Sequence, residues 1–380
     1  MSLLLLERGI FNCSSICMAS KTEIGFLLAL MIAIIAVKGD VQSTDVVYAL
    51  EQIKTLDSST CNGGYETIIK IPVNYPIWDE HTHVATKTSN FLSLVIQRNK
   101  GSLASISDEG FFYDLIKNNI IGKSAIFGSA VALESGVYSN YDKFAPYAHK
   151  TDGQGIVAFD PSVFYNYDDK ETEWYFVPKT AIRLALTEIS IKTKLRSGII
   201  EDAKFLIAGK ADGHWTRPYF DCGAGNGWMV TFSSPIFGRN KQSNEAEFKG
   251  VSIIDINLSN IDIDQCDPDS TNDKNDDIFF GVFKGTHKCQ PTTECKFKRG
   301  LGFKTGGYDC VCQVGYYSPN AESYNGVDVE NALAENDDMT RFKCIPCGPG
   351  DCDSQQNRRA VETKQKSLTS RIRHLLHEKK

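Results

Sequence analysis

The sequence predicts an α+β protein followed by a small disulfide-rich unit, and three observations predict it. Apolar residues recur at helical spacing over a long stretch, 78–99, and over a shorter one, 108–120. After Gly122 the period becomes that of strands, in segments joined by loops rich in Asp, Asn, Tyr and Gly. Eight of the twelve cysteines crowd into positions 266–352. Helices followed by a run of strands fit an antiparallel sheet better than an alternating parallel one. The crowded cysteines mark a region held by bridges more than by a core.

Taken in order, residues 24–37 (IGFLLALMIAIIAV) form the one long apolar run, fourteen residues, short for a membrane span. Lys21 precedes it and small or polar residues follow to Ser43, the pattern of a secretory signal peptide cleaved near Gly39–Ser43. A start at Met18 would be more conventional, which makes 1–17 an upstream extension and 1–43 the whole leader. The chain is therefore expected to be secreted or to face the outside of the plasma membrane. Residues 44–265 read as one domain. It opens with a short helix, VVYALEQIKTL, ending before Cys61. In the long helix Val84, Thr88, Phe91, Leu92, Val95 and Ile96 share a stripe, and Gly101 ends it. His81 and His83 stand two apart and do not share a helix face, so they are not read as metal ligands. The second helix is capped by Asp108 or Ser107. Strands are expected at 124–133, 155–159, 171–177, 203–209, 228–238 and 250–258; residues 180–192 read equally as helix or strand.

The stretch HWTRPYFDCG, 214–223, carries the most chemistry. If 219–222 is a strand, Tyr219 and Asp221 point one way and Phe220 and Cys222 the other. A carboxylate beside an aromatic ring suits a small cation such as an ammonium group.

Other function classes find little support. The net charge of −6 and the lack of a basic stripe with interleaved aromatics argue against nucleic acid. No phosphate-binding glycine loop, Ser-His-Asp order or zinc motif occurs, so no catalytic residue, cofactor or metal is expected. The aspartate-rich run 262–277 lacks the glycine and terminal glutamate of an EF-hand loop.

Ten cysteines follow the leader: Cys61, Cys222, Cys266, Cys289, Cys295, Cys310, Cys312, Cys344, Cys347 and Cys352. An even number behind a signal peptide implies an oxidising compartment and disulfides. If Cys61 and Cys222 are both bonded within the first domain, they pair with each other. The step Cys310-Val-Cys312-Gln-Val-Gly-Tyr is an EGF-like signature. That pattern implies Cys266–Cys295, Cys289–Cys310 and Cys312–Cys344, leaving Cys347 and Cys352. Residues 266–352 are then an EGF-like stalk, and 353–380 a basic polar tail with a stripe at Val361, Leu368, Ile372, Leu375 and Leu376.

PYFDC (218–222), WMVTFSSPIFG (228–238), FKGVSIIDINLSNIDIDQC (248–266), GTHKC (285–289), TTEC (292–295), GLGF (300–303) and YDCVCQVGYY (308–317), with ETEW at 171–174, occur in an order that resembles one family. It is the ectodomain family of the class C metabotropic glycine receptor and its retinal orphan relative. The resemblance implies a PAS-like Cache domain on an EGF-like stalk, which in the family leads to seven membrane helices; membrane attachment here would need such helices beyond Lys380. It also implies an amino-acid pocket. Tyr219 matches the family's tyrosine, Asp221 stands at its glutamate, Asp255 at its aspartate, and Gly122-Lys123 at its Ser-Arg pair. By those roles Lys123 holds a ligand carboxylate, Asp221 and Asp255 its ammonium, and Tyr219 offers a hydroxyl or ring face. Glycine, with five heavy atoms, could bind no more tightly than roughly −7.5 kcal/mol, micromolar at best. The partners expected are a small glycine-like amino acid and, in the alternative of a degenerate Cache scaffold serving adhesion, a heparan-sulfate proteoglycan or another protein. A homodimer is expected as well.

Overall fold

In a computed structural model of the chain the described residues are 43–348, apart from 58, 60, 62–64, 139–140, 152, 154, 182–186, 224, 241, 269–277 and 320. The leader, the basic tail and Cys352 lie outside them. Helix α1 (Ser43–Thr55) and strand β1 (Tyr65–Ile68) lead to α2 (Asp79–Arg98) and α3 (Gly110–Ile120). Next come β2 (Gly128–Leu133), β3 (Tyr147–Lys150), β4 (Ile156–Phe159) and a short helix α4 (Glu173–Thr180). The hairpin β5 (Thr187–Lys194) and β6 (Ile200–Ile207) precedes β7 (His214–Trp215) and β8 (Tyr219–Asp221), then the long strands β9 (Gly227–Arg239) and β10 (Ala246–Asn257). The cysteine-rich region holds β11 (Thr293–Phe297), β12 (Tyr308–Cys312), β13 (Tyr316–Tyr317), β14 (Ser323–Asn325), α5 (Gly326–Ala334) and β15 (Ile345–Pro346).

The main sheet is antiparallel throughout, in the order β1-β8-β9-β10-β2-β3-β4, with β7 also on β9. Its central strands are buried on both sides. Period-two alternation therefore sorts residues between two apolar layers. Val131, Leu133, Phe232, Ile236 and Ile254 pack toward α2 and α3 with Leu92, Ile96 and Phe112. Ala130, Ala132, Val251 and Ile253 pack the other way, against Tyr147, Tyr167, Trp174 and Tyr175. A polar seam ties the helices down. Ser89 meets Ser234 at 2.8 Å, Phe237 N donates to Ser93 Oγ, and Thr88 donates to Asn119, which donates to Ser129.

Most expected elements form within a few residues of their sequence positions. The exception is 171–177, expected as a strand, where α4 forms instead. Trp174, Tyr175 and Pro178 fall on one helical face and are buried, and Pro178 lacks the N–H a strand ladder would use. Within α2, Phe91 is 43% exposed, outside the stripe that the helical spacing assigned it. It meets Phe111 of α3 instead, with ring centroids 6.1 Å apart.

Bridges join Cys61–Cys222, Cys266–Cys295, Cys289–Cys310 and Cys312–Cys344, and Cys347 is also disulfide-bonded. The described residues fall in one compact unit, Ser43–Lys380. The cysteine-rich region is packed onto the sheet: Phe303 lies 5.7 Å from Trp228 of β9 and 5.4 Å from Phe279. Lys54 of α1 also reaches the carbonyl of Glu330 on α5, at 2.7 Å. Among the described residues no helix is long and apolar enough to cross a membrane.

Candidate functional site

The sheet face turned away from α2 and α3 is covered by the segment from Phe159 to Trp174. A cavity of about 70 Å³ lies between them. The segment is anchored by its own hydrogen bonds. Asp160 accepts from Ser162 N and Ala145 N, and the Tyr167 hydroxyl donates to Leu133 O. The floor is Ala130 of β2 and Ile253 of β10, and the roof is Pro161, Phe164, Tyr165, Tyr167 and Trp174. Tyr147 and Phe159 close one side, and Tyr219, Asp221 and Gly223 the other.

Asp255 of β10 reaches into this hollow and is only 4% exposed. Its cross-strand partner Thr231 donates to Oδ1 at 2.6 Å, and the Tyr219 hydroxyl lies 2.7 Å from Thr231 Oγ1. The threonine proton is committed to the carboxylate, so Tyr219 donates to the threonine oxygen. Tyr147 supplies a second hydroxyl to Asp255. Among the described residues no cationic side chain pairs with Asp255. Burial, the first cause, and the charge of Asp221 push its carboxyl from 3.8 up to about 6, against the pull of the Thr231 and Tyr147 hydroxyls. Burial and the two carboxylates raise the Tyr147 and Tyr219 hydroxyls well above the ordinary tyrosine value. Asp221 sits at the rim, where its oxygens accept from Gly223 N at 3.0 Å and Gly225 N at 2.7 Å.

The strand alternation expected at 219–222 positions these groups. Tyr219 and Asp221 face the cavity together. On the other face Phe220 meets Trp228 edge-on, and Cys222 is bonded to Cys61. The ETEW and HWTR motifs meet behind α4, where Glu173 accepts from His214 and Arg217 at 3.1 and 3.4 Å.

The structure thus brings together Tyr219, Asp221 and Asp255. It does not bring Lys123 or Gly122 to them. Gly122 is exposed with φ +71° just past the end of α3. Lys123 is exposed and lines a separate open hollow with His83, Lys87 and Asn119. Seven residues after α3, 121–127, intervene before Gly128 enters the sheet, and Lys123 is stranded on the helix side. Sequence reasoning missed Tyr147 and the aromatic roof. The roof's signal was the density of rings in FDPSVFYNY. It also missed Gly128, at which a Cβ would fall 2.3 Å from the Tyr147 hydroxyl and 2.9 Å from Asp255 Oδ2. Only glycine leaves that hydroxyl room to reach the acid. His287, Cys289 and Cys295 lie close enough to hold a metal. Both cysteines are spent in bridges, which leaves no thiolate to ligate one.

Residues 214–317 match the family described as GPR158/179 extracellular domain. The chain is 29% identical over 290 residues to the metabotropic glycine receptor of Bos taurus, covering 70% of this chain and 22% of that receptor. It is 28% identical over 142 residues to G-protein coupled receptor 179 of Mus musculus, covering 35% of this chain and 6% of that protein. The chain therefore spans less than a quarter of the length of either receptor. Among solved structures it resembles a methyl-accepting chemotaxis protein X at 20% identity and a TM-score of 0.31, covering 47% of this chain and 55% of that one. The chain is related to the extracellular region of this receptor family, with an α+β arrangement and a bridged C-terminal part.

Proposed function

We propose that the chain is the ligand-binding extracellular region of a receptor-type protein, and that its cavity takes the ammonium group of a small metabolite. A glycine-like amino acid is the member of that class suggested by the relatives' printed name. The observation that carries the reading is Asp255. It is a buried carboxylate in a hollow, held by two hydroxyl donors, with no ion pair among the described residues. A buried charge without a partner is costly, and a bound cation would supply the partner. A thermal-denaturation screen of amines and amino acids tests it, because a ligand of the folded state raises the melting temperature. A rise that disappears in Asp255→Asn is expected. No rise with any such compound would contradict it. Lys123→Ala is expected to leave binding within twofold, since its side chain lines another hollow.

A second reading, an adhesion module, draws on that open hollow of about 290 Å³, where His83, Lys87 and Lys123 would suit an anionic partner such as a sulfated proteoglycan. Capture from cell surfaces that is lost in Lys87→Ala/Lys123→Ala but kept in Asp255→Asn would favour it. The reverse pattern would favour the cavity.

A further inference from the structure

We propose that the cavity selects a small organic ammonium ion that carries no carboxylate, and so discriminates against α-amino acids. The inference rests on the ammonium-binding reading above and narrows it.

Of the fourteen described residues that line the cavity, seven are aromatic and two are aspartates. Among these described residues none is lysine, arginine or histidine. A zwitterion needs a cation for its acid end, and here that end would be forced against the rings or against Asp221 and Asp255. Like charges in a mostly apolar hollow repel strongly. Several basic side chains near the cavity are held elsewhere, and His149, stacked on Tyr147, donates to the Lys150 carbonyl. Lys143 pairs with Asp168 at 2.8 Å, Lys179 with Glu134 at 2.7 Å, and Arg217 with Glu173 at 3.4 Å. Lys150 donates to the carbonyls of Lys123 and Ser124.

What the hollow offers instead is what an alkylammonium ion uses. Asp255 accepts two hydroxyls, from Thr231 and Tyr147, and a carboxylate offers about four lone-pair sites, so it can still take an N–H. Ring faces attract a cation and tolerate its methylene body. A space of about 70 Å³ holds about five water-sized groups, which fits a ligand the size of ethanolamine, propylamine or tetramethylammonium.

Calorimetric titration of the intact, oxidised chain with ethanolamine, propylamine, tetramethylammonium and glycine tests the selection. At least one amine is expected to bind at least tenfold more tightly than glycine, and binding is expected to fall at least tenfold in Asp255→Asn. A cooperative thermal unfolding transition in Asp255→Asn shows that the variant is folded, and Lys123→Ala, whose side chain lines another hollow, is expected to retain binding. Glycine binding as tightly as every amine, and lost in Asp255→Asn, would overturn the selection while leaving the ammonium site standing. No binding by any of the four would overturn both.

Discussion

At the scale of single residues, Asp255 sets the behaviour of the site. Its carboxyl is raised from 3.8 to about 6 by burial and by Asp221, and the other titratable groups facing it are the Tyr147 and Tyr219 hydroxyls. Below about pH 4 the folded and unfolded chains both hold the proton. Above about pH 6 the folded chain carries a buried charge that the unfolded chain exposes to water. This group's contribution to stability is therefore full at low pH and lost as pH rises through about 6, by about 3 kcal/mol in all. The stability of the wild-type chain relative to Asp255→Asn, followed by denaturant titration across pH 4 to 8, is expected to fall by that amount. A difference that stays flat would show the carboxyl to be solvated. Gly128→Ala is expected to push Tyr147 out of the cavity, lowering stability by about 1–3 kcal/mol in the same measurement, along with amine binding. Much of this site was legible in the sequence: alternation alone put Tyr219 and Asp221 on one face. Asp255 came only from resemblance, because nothing in a buried strand such as SIIDI says which hollow its acid will meet. Lys123 was placed at the pocket by resemblance alone and lies in another hollow, since its position depends on how the loop after α3 turns.

At the scale of elements, the cavity exists because a sheet buried on both faces is covered by a helix pair on one and by irregular chain on the other. The helix pair was legible from its 3.6-residue period. The covering segment was not, because rings scattered through a loop carry no period, and the ETEW segment alternates well enough to pass for a strand. The bridge Cys61–Cys222 fixes the end of β8, one residue beyond Asp221, across a separation of 161 residues. Chain entropy gives such a bond roughly 5 kcal/mol as an upper figure. Cys61→Ser/Cys222→Ser is expected to lose about 2–5 kcal/mol in chemical denaturation and to weaken amine binding, because the strand that carries Tyr219 and Asp221 is released. Unchanged binding in a destabilised variant would separate the anchor from the site.

At the scale of the whole molecule, the cysteine-rich region is more than a string of bridges. Trp228 of the sheet, Phe279 and Phe303 pack in one aromatic cluster, and Gly302 brings its backbone against Ser259, where a Cβ would lie 2.0 Å from the carbonyl. Its φ of +78° also favours glycine. The EGF-like spacing made the bridges legible, but the packed joint was not, because contacts between distant segments leave no mark on local spacing. Gly302→Ala is expected to loosen the joint, detected as faster proteolysis between 259 and 303, with the cavity's amine affinity preserved. The proposed activity of the molecule turns on a buried acid awaiting a cation. The most direct measurement is calorimetric titration of the intact chain with propylamine near pH 7.5 and near pH 5, in wild type and Asp255→Asn. The expected result is binding near pH 7.5 that weakens roughly tenfold near pH 5 as the acid takes up its proton, and is lost in the variant. Equal binding by wild type and variant at both values would contradict it.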